Sequence, residues 1–345
     1  MKKLTTLFAI LFLSFLSFGQ VGSIENIDVE QRTDGSGIVD IYFDLLHSGT
    51  ANYNISLEAS FDGGSTFSPV APEYLSGDLV EVAPGTGFQI IWDGLASHPD
   101  IFTEEAMVKI IANKVEATVT DVEGNVYPYV VIGTQTWMAK NLQTTKYNNG
   151  DDITTGLANE AWQNTTSGAY SVFPHTGDSW GNPIEGIDSD GEMINAYGIL
   201  YNWYAVVDER GVCPTGWRIP TLEDYEALRD FAIGEGYPNE WNSVEGVADA
   251  LRSTSVAPDP HPRWDAYEWE DYNHLDVYGF NALPSGYRTG NGDYYSLGQH
   301  VYWWTTSLFS EDNAWTFRVE YSSGDFSGNP TQQTMGYSVR CIKDE

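Results

Sequence analysis

The sequence predicts two domains of different class, an all-β domain followed by a loop-rich α+β domain dominated by strands. Three observations carry this expectation. From Val21 to Lys114, apolar residues alternate in short runs broken by turns, with no helical periodicity. Beyond the stretch KVEATVTDVEGN, Gly, Trp and Tyr become dense and two helical stripes emerge. Both cysteines, Cys213 and Cys341, fall in that later region. One opens the run CPTGWRIPTLEDYEAL and the other sits in the closing GYSVRCIKDE.

The chain begins with Lys2 and Lys3, then a run of apolar and small residues from Leu4 to Phe18, then Gly19 and Gln20. A basic start, a short apolar stretch and a small residue at the break predict a secretory signal peptide over residues 1–19. The run is too short and too interrupted by Ser and Thr for a membrane span. No cysteine near the break offers a lipid attachment point, and no later segment is apolar enough to cross a bilayer. The expectation is a secreted or cell-surface/periplasmic protein without membrane insertion.

The 345 residues carry a formal net charge of −33, and losing Lys2 and Lys3 would lower it by two more. Nucleic acid is excluded as a partner, because phosphate contacts need clustered Lys and Arg. A solubilising acidic surface is one reading of the charge, and collection of Ca²⁺ by some carboxylates is the other. Aromatic residues make up 14% of the chain, enough to build a core and to set it apart from an acidic disordered tail.

In the first domain, residues 21–114, Val39, Ile41, Phe43 and Leu45 alternate with Asp40, Tyr42 and Asp44. Tyr53, Ile55, Leu57, Ala59 and Phe61 alternate with polar partners in the same way. Phe88, Ile90 and Trp92 mark a further strand, and Val108, Ile110 and Ala112 a last one. Asp34-Gly35 and Asp62-Gly63-Gly64 supply tight turns. This pattern predicts a β-sandwich of immunoglobulin or fibronectin type that serves as a spacer or docking module.

The second domain, residues 119–345, should contain two helices. Thr221 stands three residues before Asp224 as a capping-box variant. Leu222, Tyr225, Leu228, Phe231 and Ala232 then recur at helical spacing, and Gly234 is the expected terminator. Val244, Val247, Ala248 and Leu251 form the second stripe. In an exported protein, Cys213 and Cys341 are expected to pair as one long-range disulfide. The competing reading, a reactive thiol at a helix start, needs a base that the flanking residues do not supply.

Six blocks then resemble a known family in order: VTDVEGNVYPYVVIGTQTWMAKNL, AYGILYNWYAV, CPTGWRIPTLEDYEAL, YGFNALPSGYR, VYWWTTS and GYSVRCIKD. From Val119 to Asp344 they look like the Fibrobacter succinogenes major paralogous domain. That resemblance implies secreted, often multi-copy proteins of no assigned catalytic activity. The WRIPT-then-helix block and the late GYSVRC are also similar to the formylglycine-generating-enzyme branch of the C-type-lectin-like fold. This implies a C-type-lectin-like scaffold that displays long binding loops. Those enzymes work through a close cysteine pair near the C-terminus. Cys341 has no neighbouring thiol, so the oxidase chemistry does not carry over.

His47, His98, His175, His261, His274 and His300 show no zinc-ligand spacing. Asp188, Asp190 and Glu192 around Gly191 form a fragment of a calcium loop without its distant bidentate Glu; a solvated acidic loop is the alternative. Gly177-Asp178-Ser179-Trp180-Gly181 matches a nucleophile-elbow pattern, but its Pro- and Gly-rich flanks read as a turn. Of Trp137, Trp203, Trp217, Trp303, Trp304 and Trp315, most read as core or near-core. Trp180, Trp241, Trp264 and Trp269 sit in polar stretches. In PRWDAYEWEDYNHLD, Trp264, Tyr267, Trp269 and Tyr272 interleave with carboxylates and could stack on sugar rings or clamp a peptide. The alternative is a long loop packed on the body.

No cofactor is expected apart from Ca²⁺ at the acidic loop. Together these readings give a secreted, non-enzymatic binding protein of the cell envelope or exterior, contacting glycan or extracellular protein through its second domain. The rivals are a carbohydrate-active hydrolase using an Asp/Glu pair such as Glu268 and Glu270, and a purely structural or adhesive surface protein.

Overall fold

A computed structural model describes residues 23–46, 52–101, 103–267 and 273–344. The expected signal peptide, Trp269, Tyr272 and the pair Glu268 and Glu270 lie outside them. The chain divides into two compact units, Met1–Glu116 and Ala117–Glu345.

The first unit is built almost wholly of strands: β1 (Ser23–Gln31), β2 (Ile38–Leu46), β3 (Tyr53–Ser60), β4 (Ser68–Pro69), β5 (Leu75–Gly77), β6 (Gly85–Asp93), the single turn α1 (Gly94–Ser97) and β7 (Met107–Lys114). They form two antiparallel sheets, ordered β1-β2-β6-β5 and β4-β3-β7. Alternation along β2 and β3 sends Val39, Ile41, Phe43, Leu45, Tyr53, Ile55, Leu57 and Ala59 into one cluster with Ile90, Trp92, Val108 and Ile110. Both sheets therefore share one core. Full burial of each large aliphatic or aromatic side chain contributes roughly 1.5–3 kcal/mol. Strand β1 was not foreseen. Its pairing with β2 shifts between Glu25 and Asp28, and Asn26 adopts a φ of 50° there. A bulge breaks the period of two that a sequence reading relies on.

The second unit starts with β8 (Thr118–Thr120), β9 (Val126–Ile132) and β10 (Gln135–Met138). Next come α2 (Asn159–Asn164), β11 (Tyr170–Ser171), α3 (Asp190–Tyr197), β12 (Leu200–Tyr201), α4 (Trp203–Val206) and β13 (Trp217–Arg218). Helices α5 (Leu222–Gly234) and α6 (Val247–Leu251) precede β14 (Ser285–Arg288), β15 (Tyr294–Leu297), β16 (His300–Leu308), β17 (Asn313–Glu320), β18 (Ser327–Gln332) and β19 (Ile342–Lys343). One five-stranded sheet runs β13-β19-β10-β9-β8 and another β15-β14-β16-β17-β18, while β11 and β12 pair as a short ribbon.

Helix α5 begins where the sequence requires. The Thr221 hydroxyl accepts from the Asp224 N–H at 3.2 Å, and the Asp224 carboxylate accepts from the Thr221 N–H at 2.7 Å. Tyr225, Leu228 and Ala232 are buried against β16 and β17. Its end lies two residues beyond the expected one. Gly234 is the last helical residue, Glu235 stays right-handed, and the chain leaves at Gly236 with φ 105°. Helix α6 is shorter than its stripe. It starts after Gly246, whose N–H donates to the Asp249 carboxylate at 2.8 Å, and Val244 lies outside it, exposed.

The expected disulfide is present: Cys213 and Cys341 are joined across 128 positions, with Cα atoms 5.9 Å apart. The next residue of the closing segment, Ile342, belongs to β19, which lies between β13 and β10. Beside it, Arg340 is fully buried between the rings of Phe280 and Trp303. Its guanidinium donates to the carbonyls of Phe280 and Asn281 and to the Asn141 side-chain oxygen. Asn141 also accepts from the Trp303 indole at 2.9 Å. Carbonyl partners replace water here, which is the condition for burying such a charge.

Candidate functional site

Of the residues expected to contact ligand, Trp264 and Tyr267 are described, and they do not form an exposed pair. Trp264 is not on the surface: its side chain is fully buried in the core with Leu251, Phe280 and Phe317, and its indole donates to the Ala282 carbonyl at 3.0 Å. The backbone explains this. Trp264 exchanges hydrogen bonds with Ser255 and Ala257, so its polar sequence neighbours stay outside while the ring turns inward. Tyr267 is half-buried, edge-on to Tyr321 at 5.2 Å.

The acidic loop is a helix start. Ser189 caps α3 through the Glu192 N–H, and the Glu192 carboxylate accepts from the Asp188 N–H at 2.7 Å. Asp190 pairs with His175 at 2.8 Å. Among the described residues, no three His, Cys, Asp or Glu side chains gather in a geometry that could hold a metal. Asp188, Asp190 and Glu192 are thus not brought together as ligands. Ser179 sits in a tight turn with no helix until Asp190, so the elbow geometry is absent.

A cleft does form elsewhere in the second unit, with a volume of about 440 Å³. That lies within the usual range of small-ligand sites. Its walls come from three separated stretches: Tyr147, Asp152 and Thr154; Thr166, Ser167 and Gly168; and Tyr204, Val207, Asp208 and Arg210.

Each stretch is held by local chemistry. The first turns at Asn149-Gly150, where Gly150 N–H donates to the Tyr147 carbonyl and Tyr147 N–H to the Asp151 carbonyl. The second and third are tied together by buried Asn202. Its side-chain oxygen accepts from Ala169 N–H at 2.9 Å and caps α4 through Ala205 N–H at 3.1 Å. Its amide donates to the Ser167 carbonyl at 2.9 Å. The third stretch is fixed to the first by Asn148, which donates to the carbonyls of Gly211 and Cys213. Arg210 therefore sits three residues from the disulfide.

Electrostatically the cleft is closed upon itself. Arg210 grips Asp208 with two bonds of 2.8 Å, reaches Asp151 at 3.1 Å, and lies 3.8 Å over the Tyr147 ring. The bonds from Arg210 hold Asp208 below the usual carboxylate range. Asp151 is lowered as well, first by Asn149 and then by Arg210. Burial, followed by the charge of Asp208, pushes the Tyr147 hydroxyl up to about 12. Burial and Asp312 raise Tyr204. Asp152 is paired with Lys146 at the rim.

The lining contains no histidine or cysteine. It offers the half-buried Tyr204 ring, exposed Thr154, Thr166 and Ser167, and carboxylate acceptors, while Tyr147 is buried beneath Arg210. Such a set can hold a polar, uncharged ring by stacking and hydroxyl hydrogen bonds. Sequence reasoning missed the cleft because its residue types are ordinary loop residues. The nearest signal was the position of DERGV directly before CPTGW.

Residues 130–343 match the model of the Fibrobacter succinogenes major domain, and the chain belongs to that family. No curated protein and no solved structure matches the chain.

Proposed function

We propose that this chain is an exported, non-enzymatic binding protein of the cell envelope or exterior that takes a neutral glycan in the cleft of its second unit. In this reading an immunoglobulin- or fibronectin-like sandwich carries a C-type-lectin-like domain. The observation that carries the proposal is the cleft edged by the half-buried Tyr204 ring, with the exposed Thr154, Thr166, Ser167 and Asp152 around it.

The ligand is neutral because the charge of Arg210 is already countered by Asp208 and Asp151, and a chain of net charge −33 repels anionic polymers. Binding without turnover is supported by the two carboxylates that Arg210 holds at the cleft. A hydrolase needs one carboxyl group held protonated by a raised pKa, whereas Asp208 and Asp151 are both lowered. Export is supported by the basic and apolar N-terminal run and by the disulfide, which persists in oxidising compartments.

The test is calorimetric titration of the full chain with neutral hexasaccharides selected on a glycan array. Tyr204→Ala and Asp152→Asn should each weaken binding by about tenfold or more, as expected on removing a stacking face or a charged acceptor. Unchanged affinity in both variants would refute the cleft. Release of reducing sugar that disappears in Asp208→Asn would instead favour the hydrolase.

A further inference from the structure

We infer that Trp180 and Tyr295 form a second sugar-stacking platform, outside the cleft, that takes a pyranose unit of the same neutral glycan. The inference rests on the glycan reading above and extends it to a position that reading does not use.

The first observation is an exposed ring on a fixed loop. Trp180 is 67% exposed, the most of any described tryptophan, yet its backbone is tied on every side. The Asp178 carboxylate accepts from the N–H groups of Trp180 and Asn182 at 3.0 and 2.9 Å and from the Asn182 amide at 2.8 Å. Ser179 bridges to β15, donating its N–H to the Tyr294 carbonyl at 2.9 Å and accepting from the Tyr294 N–H at 2.8 Å. Gly177 has φ 125°, and a Cβ there would meet the Asn182 carbonyl at 2.4 Å, so the turn admits no side chain. The segment that matched a nucleophile elbow is a rigid mount for an indole.

The second observation is the surface the mount creates. The Trp180 ring lies 4.5 Å from that of Tyr295, tilted by 41°. Tyr295 is backed in turn by Tyr287 and then by Tyr302. At that distance Tyr295 packs against one side of the indole and braces it, and the other, exposed side is suited to the apolar face of a pyranose. Aromatic rings of this kind supply large contact area at low conformational cost.

Charge selects the occupant. Between Lys146 and Arg210 the sequence has ten carboxylates and no Lys or Arg. A phosphorylated, sulfated or uronic polymer is repelled from this stretch, and a neutral ring is not. The platform is also joined to the cleft through α2. Arg288 of β14 donates to the Leu157 carbonyl before α2, and Gln163 of α2 bonds Asn291 in the β14–β15 turn. The cleft residues Thr166–Gly168 follow directly after α2. One glycan chain engaging both positions would gain by effective concentration.

The experiment titrates the full chain and its Trp180→Ala, Trp180→Tyr and Tyr295→Ala variants with β-1,4-glucan, β-1,3-glucan and β-1,4-mannan hexasaccharides, by calorimetry and tryptophan fluorescence. Trp180→Ala should weaken binding by about tenfold or more, while Trp180→Tyr stays within about threefold, the pattern of a stacking hot spot. A ligand-induced blue shift should disappear in the Trp180→Tyr difference spectrum. An unchanged melting temperature shows that the exposed position has not disturbed folding. Hexasaccharide binding lost in Tyr204→Ala but untouched in Trp180→Ala overturns the platform and leaves the cleft standing. Failure of all three to bind the wild type overturns both. Binding of oligolysine that Trp180→Ala abolishes overturns the sugar in favour of a basic polypeptide.

Discussion

Replacing Cys213 and Cys341 together by alanine removes a covalent link between positions 128 apart, whose Cα atoms lie 5.9 Å from each other. In the chain-entropy treatment, opening a loop of that length frees the unfolded ensemble by about 5 kcal/mol at 25 °C. Both sulfurs are buried beside Trp217 and Val339, so their loss adds about 1 kcal/mol of packing at each site. For a unit of this size, 1 kcal/mol moves the melting temperature by roughly 2–4 °C, so the combined loss of about 7 kcal/mol should lower it by about 14–28 °C. The first unit has its own core and no cysteine. Differential scanning calorimetry should therefore show two transitions, of which only one falls. Reducing agent should move the same transition in the wild-type chain. A double alanine variant melting within about 2 °C of wild type would refute the reasoning, as would equal shifts in both transitions.

Two further perturbations test the description of the second unit. Trp264→Ala should cost about 3–5 kcal/mol in urea denaturation, the range for a fully buried aromatic, and a loss under 1 kcal/mol would place the ring outside the core. His300 is held down at about 4 by burial and then by the charge of Arg318, against an ordinary value of 6.5. Its folded pKa is the lower one, so the unfolded chain takes up the proton first as pH falls. The stability tied to neutral His300 is whole above about pH 6.5 and drains away toward pH 4, by at most about 3 kcal/mol. His300→Gln should lose less stability than wild type between pH 7 and 4.5, and parallel curves would contradict this.

Much of the scaffold was legible because it is written locally. The cap at Thr221 and Asp224 and the alternation along Val39–Leu45 depend on neighbours a few residues away. The family-like blocks hold the pieces of the buried centre: Asn141 from MAKNL, Trp303 from VYWW and Arg340 from SVRC. That is why they announce a fold more clearly than an activity. Trp264 misled because its sequence neighbours are polar, and only its pairing with Ser255 and Ala257 turns the ring inward. The cleft was illegible for the opposite reason. Its walls are common Tyr, Asp, Ser and Thr residues assembled from remote stretches, and the buried Asn202 that joins two of them lies between aromatic residues that draw the eye first.

The position of Arg340 also sets an order of events for a growing chain. Phe280, Trp303 and Asn141 have no cation to gather around until residue 340 has been made, and β10 and β13 have no strand between them until Ile342 and Lys343 arrive. A nascent second unit is thus left with an open seam through nearly all of its synthesis, and long-range closure of this kind exposes apolar surface while it waits. Ribosome-arrested chains with and without these residues should accordingly differ sharply in resistance to protease, although they differ by only a handful of amino acids.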